Sequence, residues 1–592
     1  MVPVPVHYTP NVINVINVII PMGQSSSSES FSHSYSPQQV HTLLSYACQR
    51  LITPVEAQTL RKKLNSTTVN EKAQLSRADL AQLLLITDPP SLVVYKCLQK
   101  LGKFPFFGQE NDSTITADEL IVASMLISGR FKKLKLNTDY EKLIFRALAT
   151  SKLGAVTEKN QQLPVSVKFT RGLENPENLQ MASRFVDWSS MLGFESVDTD
   201  GYFISRSEME LLLALFLVIY SIPKRKRISM QTELLQKLDN DWRSFEAGGE
   251  QLTTFIRSSE EISYQDFSLA LALLGPLVHY GFEFLVDVML SDTTEPEKGP
   301  EPDLEITKSH LINSSTIALL AATFAGLGGK LAGISLTRQN LVKLYLGSES
   351  GFSIRSLELK VFKWHAPTIL LVSGMRLRTT NKRYETFDLE YPRFFRSLEN
   401  PLKSWQAPSD KITYAVLVHE PWKVSNKKNF GDTNTTIIAL EPRLDVFKGV
   451  ASESIYFNTL GMGLGFGNSQ PINKNTLKRY APGSVSLTIE ANLEFAVFRH
   501  ISSQAGSGIT SFATGVQPDI SGQDYEDRFL ITDLEVWGVG SSKELEEQKK
   551  QWDWEKKQAE ARQSVNLRSM GEDRALLEMV GLVGNHGSGG SV

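Results

Sequence analysis

At 592 residues with 41% apolar side chains, the chain is long enough for more than one packed domain. A net charge of −3 shows none of the basic surplus of a nucleic-acid-binding chain, and no contiguous run reaches the roughly 18 apolar residues that span a bilayer. The two cysteines, Cys48 and Cys97, argue against a disulfide framework, fit a reducing compartment, and read as buried thiols.

Residues 1–21 contain a thrice-repeated Asn-Val-Ile and no Lys or Arg. Pro and Asn interrupt the apolar stretch, so it reads as low-complexity sequence rather than a signal peptide. Met22-Gly-Gln-Ser-Ser-Ser27 then fits the N-myristoylation pattern, with Gly23 as acceptor. Acylation needs a free glycine amine. Either translation starts at Met22 or the match is accidental; the Ser-rich arm that follows, to residue 36, favours the Met22 start. One acyl chain holds a membrane only marginally, so a second signal or a protein partner is required. Lys224-Arg-Lys-Arg227, the densest basic run, reads as a solvated loop.

Residues 37–290 carry helical periodicity. Val40, Leu43, Leu44 and Ala47 follow i, i+3, i+4, i+7. Ser76, Thr116, Ser205 or Ser207, and Ser263 each precede an apolar helix as caps, with Thr116 and Glu119 forming a capping box. The ten-residue apolar run at 211–220 reads as a core helix. A turn, a capped acidic residue and an apolar helix recur, as in descendants of EF-hands. The best calcium loop places Gly201 at its sixth position, with Ser196, Asp198 and Asp200 at the ligand positions before it. Ser207 then stands where the bidentate Glu belongs, and Glu208 comes one residue late. Asp198, Asp200 and Glu208 are thus calcium candidates in a broken register, and the loop reads as scaffold only. Residues 111–119 hold a second relic without the glycine.

A charged Pro/Gly stretch at 291–304 reads as a linker. Beyond it, 314–327 and 339–346 read as helices. Strand-like segments rich in Val, Ile, Leu and Phe follow at 357–364, 368–374, 412–418 and 528–538, separated by Gly, Asn, Asp and Pro. They predict a mainly β two-sheet sandwich. The glycine run Gly461-Met-Gly463-Leu-Gly465-Phe-Gly467 lacks a dinucleotide loop's third glycine and reads as a tight backbone turn. After Gly540 the residues to Arg562 are helix formers with i,i+4 Glu–Lys pairs and a thin apolar stripe through Trp552, with Trp554 nearby. A second amphipathic piece extends to 580, and a Gly/Ser tail closes the chain at 581–592.

The order of these segments resembles the TLDc domain. The matching residues are Leu370-Leu-Val372, the Trp422 loop, Asn429-Phe-Gly431, the glycine run and Asp533-Leu-Glu-Val-Trp-Gly538, so that residues 305–541 form the TLDc unit. The whole layout resembles the fungal restriction of telomere capping proteins, fifth member, and animal TLDc relatives with a myristoylated, EF-hand-like front half. The fold class is then α+β: an all-helical EF-hand-like domain at 37–290, the sandwich, and C-terminal helices at 542–580. The resemblance implies a non-catalytic adaptor in the cytoplasm, peripheral on the vacuole membrane. Its partners would be peripheral subunits of the V-ATPase, whose assembly it modulates, and the membrane through the myristoyl arm. It implies no cofactor and no nucleic acid, alongside a link to telomere capping. Partner contacts are expected at exposed loops through Trp422, Gly461, Gly463 and Gly465, and at the tail through Trp552 and Trp554.

Catalytic motifs are absent: there is no G-x-S-x-G, HExxH, CxxC or Walker loop. His419 with Glu420, and Asp533 with Glu535, are the acid/base candidates of an alternative reading, an oxidant-protective enzyme. Their bland reading is structural, with the last pair on a polar face opposite Leu534 and Val536 or hydrogen-bonding a loop. A further alternative is an indirect nuclear or telomere factor.

Overall fold

The computed structural model describes residues 31–66, 74–107, 114–152, 164–173, 175–190, 197–222, 227–257, 259–291, 309–334, 336–338, 340–377, 381–392, 409–474, 477–502, 510–540 and parts of 544–561. Gly23, Ser196, Trp552, most of 291–304 and the end of the chain lie outside the described residues.

The helical region forms as its caps dictate. Helix Pro37–Gln49 buries Val40, Leu43, Leu44 and Ala47 on one face. Ser76, Thr116 and Ser263 each close a capping box, with Asp79, Glu119 and Asp266 as the reciprocal partners. Ser205 starts helix Arg206–Tyr220 without a side-chain cap bond. Helices come in pairs joined by short antiparallel ladders. Leu75 pairs with Ile115 ahead of helices Arg77–Leu84 and Ala117–Ile127. Ile204 pairs with Ile262 ahead of helices Arg206–Tyr220 and Tyr264–Leu290. All four of these side chains are buried, so each ladder is a plug of the core as well as a backbone tie.

Helix Tyr264–Leu290, with 27 residues, is long and apolar enough to cross a membrane by length and composition. The sequence expectation looked for an unbroken apolar run, which Pro276, His279 and Glu283 interrupt. Here the helix packs with Arg206–Tyr220 and Ser314–Leu327, burying Leu274, Leu277, Phe282 and Leu285. Cys48 and Cys97 are free thiols in the same core, and burial pushes both up to about 12.

Two expected elements change type. Residues 339–346, read as helix, contain a strand, Leu341–Leu346, because both of its faces are covered. Residues 357–364, read as strand, largely belong to helix Ile354–Val361, which buries Leu357 and Val361 at i,i+4 and leaves Leu359 in solvent.

The main sheet has ten strands: β1 Leu341–Leu346, β2 Thr368–Arg376, β3 Lys411–Val418, β4 Thr436–Glu441, β5 Asp445–Lys448, β6 Ile455–Asn458, β7 Gly463–Asn468, β8 Pro482–Ile489, β9 Phe495–His500 and β10 Tyr525–Val539. Their order is β5-β4-β3-β2-β10-β9-β8-β7-β6, with β1 also on β10. The expected two-sheet sandwich is therefore one hydrogen-bonded sheet folded across its longest strand. The first part of β10 pairs with β9 (His500 opposite Tyr525), and its last part pairs with β1 (Val539 opposite Leu341). β2 runs along its other edge, with a register shift after Ile531, and the pairing with β1 shifts after Val536. Such bulges bend a strand and let it serve two sheets.

Side chains alternate accordingly. Leu370, Val372, Tyr414 and Val416 face Leu464, Phe466, Leu487 and Phe498 inside the fold. Ile369, Leu371, Ala415, Leu417 and Trp537 point the other way and join the helical core. Helix Ser314–Leu327 seals that junction. Gly326 lies so close to Leu273 that an added Cβ would meet its carbonyl oxygen at 1.9 Å. The described residues on either side of the 291–304 segment thus share one apolar core.

Candidate functional site

The sequence-predicted positions in the sandwich fall into three groups in space. Trp422 follows β3, and the structure corrects the expectation that it is presented on an exposed loop. It is 3% exposed, its indole N–H donates to Thr368 Oγ1 at 2.7 Å, and it packs against Phe362, Phe430, Phe457 and Phe466. The side chain holds the 422–431 loop onto the core and offers a partner no surface.

The glycine run divides. Gly461 is exposed in the β6–β7 turn with φ +95°. Gly463 and Gly465 are buried in β7, so the expected turn is mainly a strand. Gly463 has φ +69°, and a Cβ there would meet the Ile489 carbonyl oxygen at 2.2 Å. Gly465 lies against the Tyr456 ring, where a Cβ would come within 2.2 Å. Close approach between strands, rather than a ligand, accounts for these two glycines. Only Gly461 stays available at the surface.

The acid/base candidates are all engaged. His419 Nδ1 lies 2.9 Å from an Asp432 carboxylate oxygen, and Glu420 accepts the Gly431 amide at 3.1 Å. Both tie down the loop that follows Asn429-Phe-Gly431. Asp533 lies 3.2 Å from His310 Nδ1. Glu535 is buried and accepts from Ser309 Oγ at 2.7 Å, the His310 amide at 2.9 Å and the Trp537 indole at 2.9 Å. It anchors the lead-in to helix Ser314–Leu327, one of the two structural roles the sequence left open.

The calcium candidates do not converge. Asp198 accepts the Asp200 amide at 2.9 Å in a local turn, and both carboxylates are exposed. Glu208 pairs with Lys96 at 2.5 Å from the first turn of the next helix. Among the described residues no group of three His, Cys, Asp or Glu side chains could hold a metal ion. In the tail, Trp554 is 60% exposed on a helical segment.

Sequence reasoning missed two features. One is Asp445 on β5, whose Oδ1 accepts the Val446, Val516 and Gln517 amides at 2.8, 2.8 and 3.0 Å. Burial outweighs these donors and pushes its carboxyl up to about 6. Gln517 in turn donates to the Thr254 carbonyl of the helical region at 3.4 Å. No local pattern marks an aspartate whose donors lie 71 and 72 residues away. The other is an open depression of about 640 Å³ lined by Glu420, Lys423, Asn426, Lys428, Phe430 and Glu453. Its signal was the lysine-rich stretch at 423–428.

A folded sheet of this order, with its lead-in helix and terminal Asp-Leu-Glu-Val-Trp-Gly strand, defines a TLDc-domain protein, and the TLDc domain family matches residues 306–540. Over 575 residues the chain is 93% identical to restriction of telomere capping protein 5 of Meyerozyma guilliermondii, covering 96% of this chain and 100% of that protein. The proteins of that name from Scheffersomyces stipitis and Debaryomyces hansenii are 41% and 40% identical, over 96% and 91% of this chain and 100% and 93% of their own lengths. The chain belongs to the restriction of telomere capping protein 5 family.

Proposed function

We propose that the protein is a non-catalytic adaptor that binds peripheral subunits of the vacuolar V-ATPase and modulates their assembly. It acts in the cytoplasm, peripheral on the vacuole membrane, with a myristoyl arm at Gly23 and an EF-hand-like helical region that serves as scaffold without calcium. The link to telomere capping in its relatives' names is then an indirect effect, in keeping with a net charge of −3 and no nucleic-acid partner. The observation that carries the reading is the use made of the polar groups in the TLDc unit. His419, Glu420, Asp533 and Glu535 each hold a loop in place, while Trp554 stands 60% exposed on the tail. Exposed tryptophan is costly in water and enriched at binding hot spots.

The test is affinity purification of the tagged full chain from yeast cells, with quantification of peripheral pump subunits. The expected result is their enrichment over an untagged control and a several-fold loss with Trp552→Ala/Trp554→Ala. No enrichment of any pump subunit would overturn the adaptor reading. Enrichment unchanged by the double variant would remove the tail from the contact.

A further inference from the structure

Three loops are tied together at one end of the sandwich: the 423–429 loop, the β6–β7 turn at 459–461, and the hairpin Ile472–Lys474/Leu477–Arg479. Asn426 Oδ1 accepts the Thr459 amide at 3.0 Å, and Asn426 Nδ2 donates to Thr459 Oγ1 at 3.1 Å. The Asn473 side chain donates to the Leu460 carbonyl. Gln470 Nε2 donates to the Ser425 carbonyl at 2.8 Å and to Asn429 Oδ1 at 2.6 Å. These bonds fix the three segments relative to one another.

This end of the sandwich carries exposed aliphatic side chains with cationic ones beside them. Val424, Leu460, Ile472 and Leu477 are 43%, 60%, 43% and 50% exposed. Lys423, Lys427, Lys428, Lys474, Lys478 and Arg479 are all exposed beside them. The exposed carboxylate among these loops, Glu453, lies 2.6 Å from Lys428, while Glu420 is turned to the Gly431 amide. A local cationic excess therefore coexists with an overall charge of −3.

We infer that this end of the sandwich is a membrane-contact surface for anionic phospholipid, with the lysine ring on the headgroups and Leu460, Ile472 and Leu477 in the interface. Basic residues near an anionic leaflet add attraction one by one, and buried aliphatic area adds to it. A single-stranded nucleic acid would need aromatic platforms for its bases, and the exposed Val424, Leu460, Ile472 and Leu477 are aliphatic. A protein partner takes apolar anchors into matched pockets near the centre of a patch. Here the aliphatic residues are spread over a turn and a hairpin, which a fluid interface accepts without a matched shape. The inference depends neither on the pump contact nor on acylation at Gly23.

The experiment is vesicle co-sedimentation of the full chain expressed without an acyltransferase. Vesicles of phosphatidylcholine alone are compared with vesicles containing about 30% phosphatidylserine, at about 0.1 M and about 0.5 M salt. Expected is binding to the anionic vesicles only, weakened by salt. Lys474→Glu/Lys478→Glu should lower it by more than about tenfold. Leu460→Ser/Ile472→Ser/Leu477→Ser should lower it at both salt concentrations. All these side chains are solvent-exposed, and unchanged thermal unfolding of both variants confirms that the fold is intact. No binding to either vesicle, equal binding to both, or anionic binding untouched by both variants overturns the assignment. Loss of pump co-purification in these variants without any vesicle binding would give the surface to a protein partner and overturn it as well.

Discussion

The indole N–H of Trp537 donates to the carboxylate of Glu535, two residues earlier on the same strand, at 2.9 Å. Residues two apart on a strand point to the same face, which lets the pair meet in this way. Ser309 Oγ and the His310 and Leu311 amides converge on that carboxylate from the lead-in segment. Glu535→Ala leaves these part-buried donors without their acceptor. It should destabilise the protein by about 2–4 kcal/mol in urea unfolding, with Glu535→Gln intermediate. A loss under about half a kcal/mol would refute the anchoring role.

Trp422 gives a second contrast. Trp422→Ala empties a pocket among four aromatic rings and should cost about 3–5 kcal/mol. Trp422→Phe keeps most of the volume and loses the bond to Thr368, costing about 1–2 kcal/mol. The folded Trp422→Phe protein should recover pump subunits at the wild-type level. A selective drop in recovery at unchanged stability would restore Trp422 as a contact residue.

Two glycines of one run should separate by mechanism. Gly461→Ala places a side chain at φ +95° in open surroundings, where the nearest atom is Lys478 Nζ at 3.9 Å. The strain alone is worth about 1–2 kcal/mol. Gly463→Ala adds a backbone clash with Ile489 and Ala491, at 2.2 and 2.6 Å. Its thermal midpoint should fall well below that of Gly461→Ala. Equal midpoints would show that β7 and β8 part easily.

Asp445 makes stability depend on pH. Its folded-state carboxyl lies near 6, above the ordinary aspartate value, because it is buried. The neutral form is therefore favoured on folding. The stability this contributes is fully present below about pH 4 and lost as pH rises through about pH 6. Asp445→Asn abolishes that titration. The unfolding free energy of wild type relative to this variant should fall by on the order of 2 kcal/mol between about pH 4.5 and about pH 7.5. A flat difference across that range would show that the three amides hold the carboxylate charged throughout.

The helix caps and the terminal strand were legible because their information is local. Ser76, Thr116 and Ser263 lie three residues from their acidic partners, and Asp533 to Gly538 carry a family pattern. The segments at 339–346 and 357–364 were misread for the opposite reason. Each has enough apolar residues for either period, and only the cover on one face or two decides between helix and strand.

By itself, the sequence determined the helical front half, the sheet-rich TLDc region and the two buried thiols, because periodicity, capping and hydrophobicity act over a few residues. Tertiary structure decided which surfaces exist. It turned Trp422 inward, split the glycine run between a turn and a strand, and merged the outer face of β2 and β3 with the helical core. It also gathered lysines from two separate loops onto one end of the sandwich. These outcomes depend on contacts between residues far apart in the chain, and burial and charge density are set by those contacts rather than by neighbours in sequence.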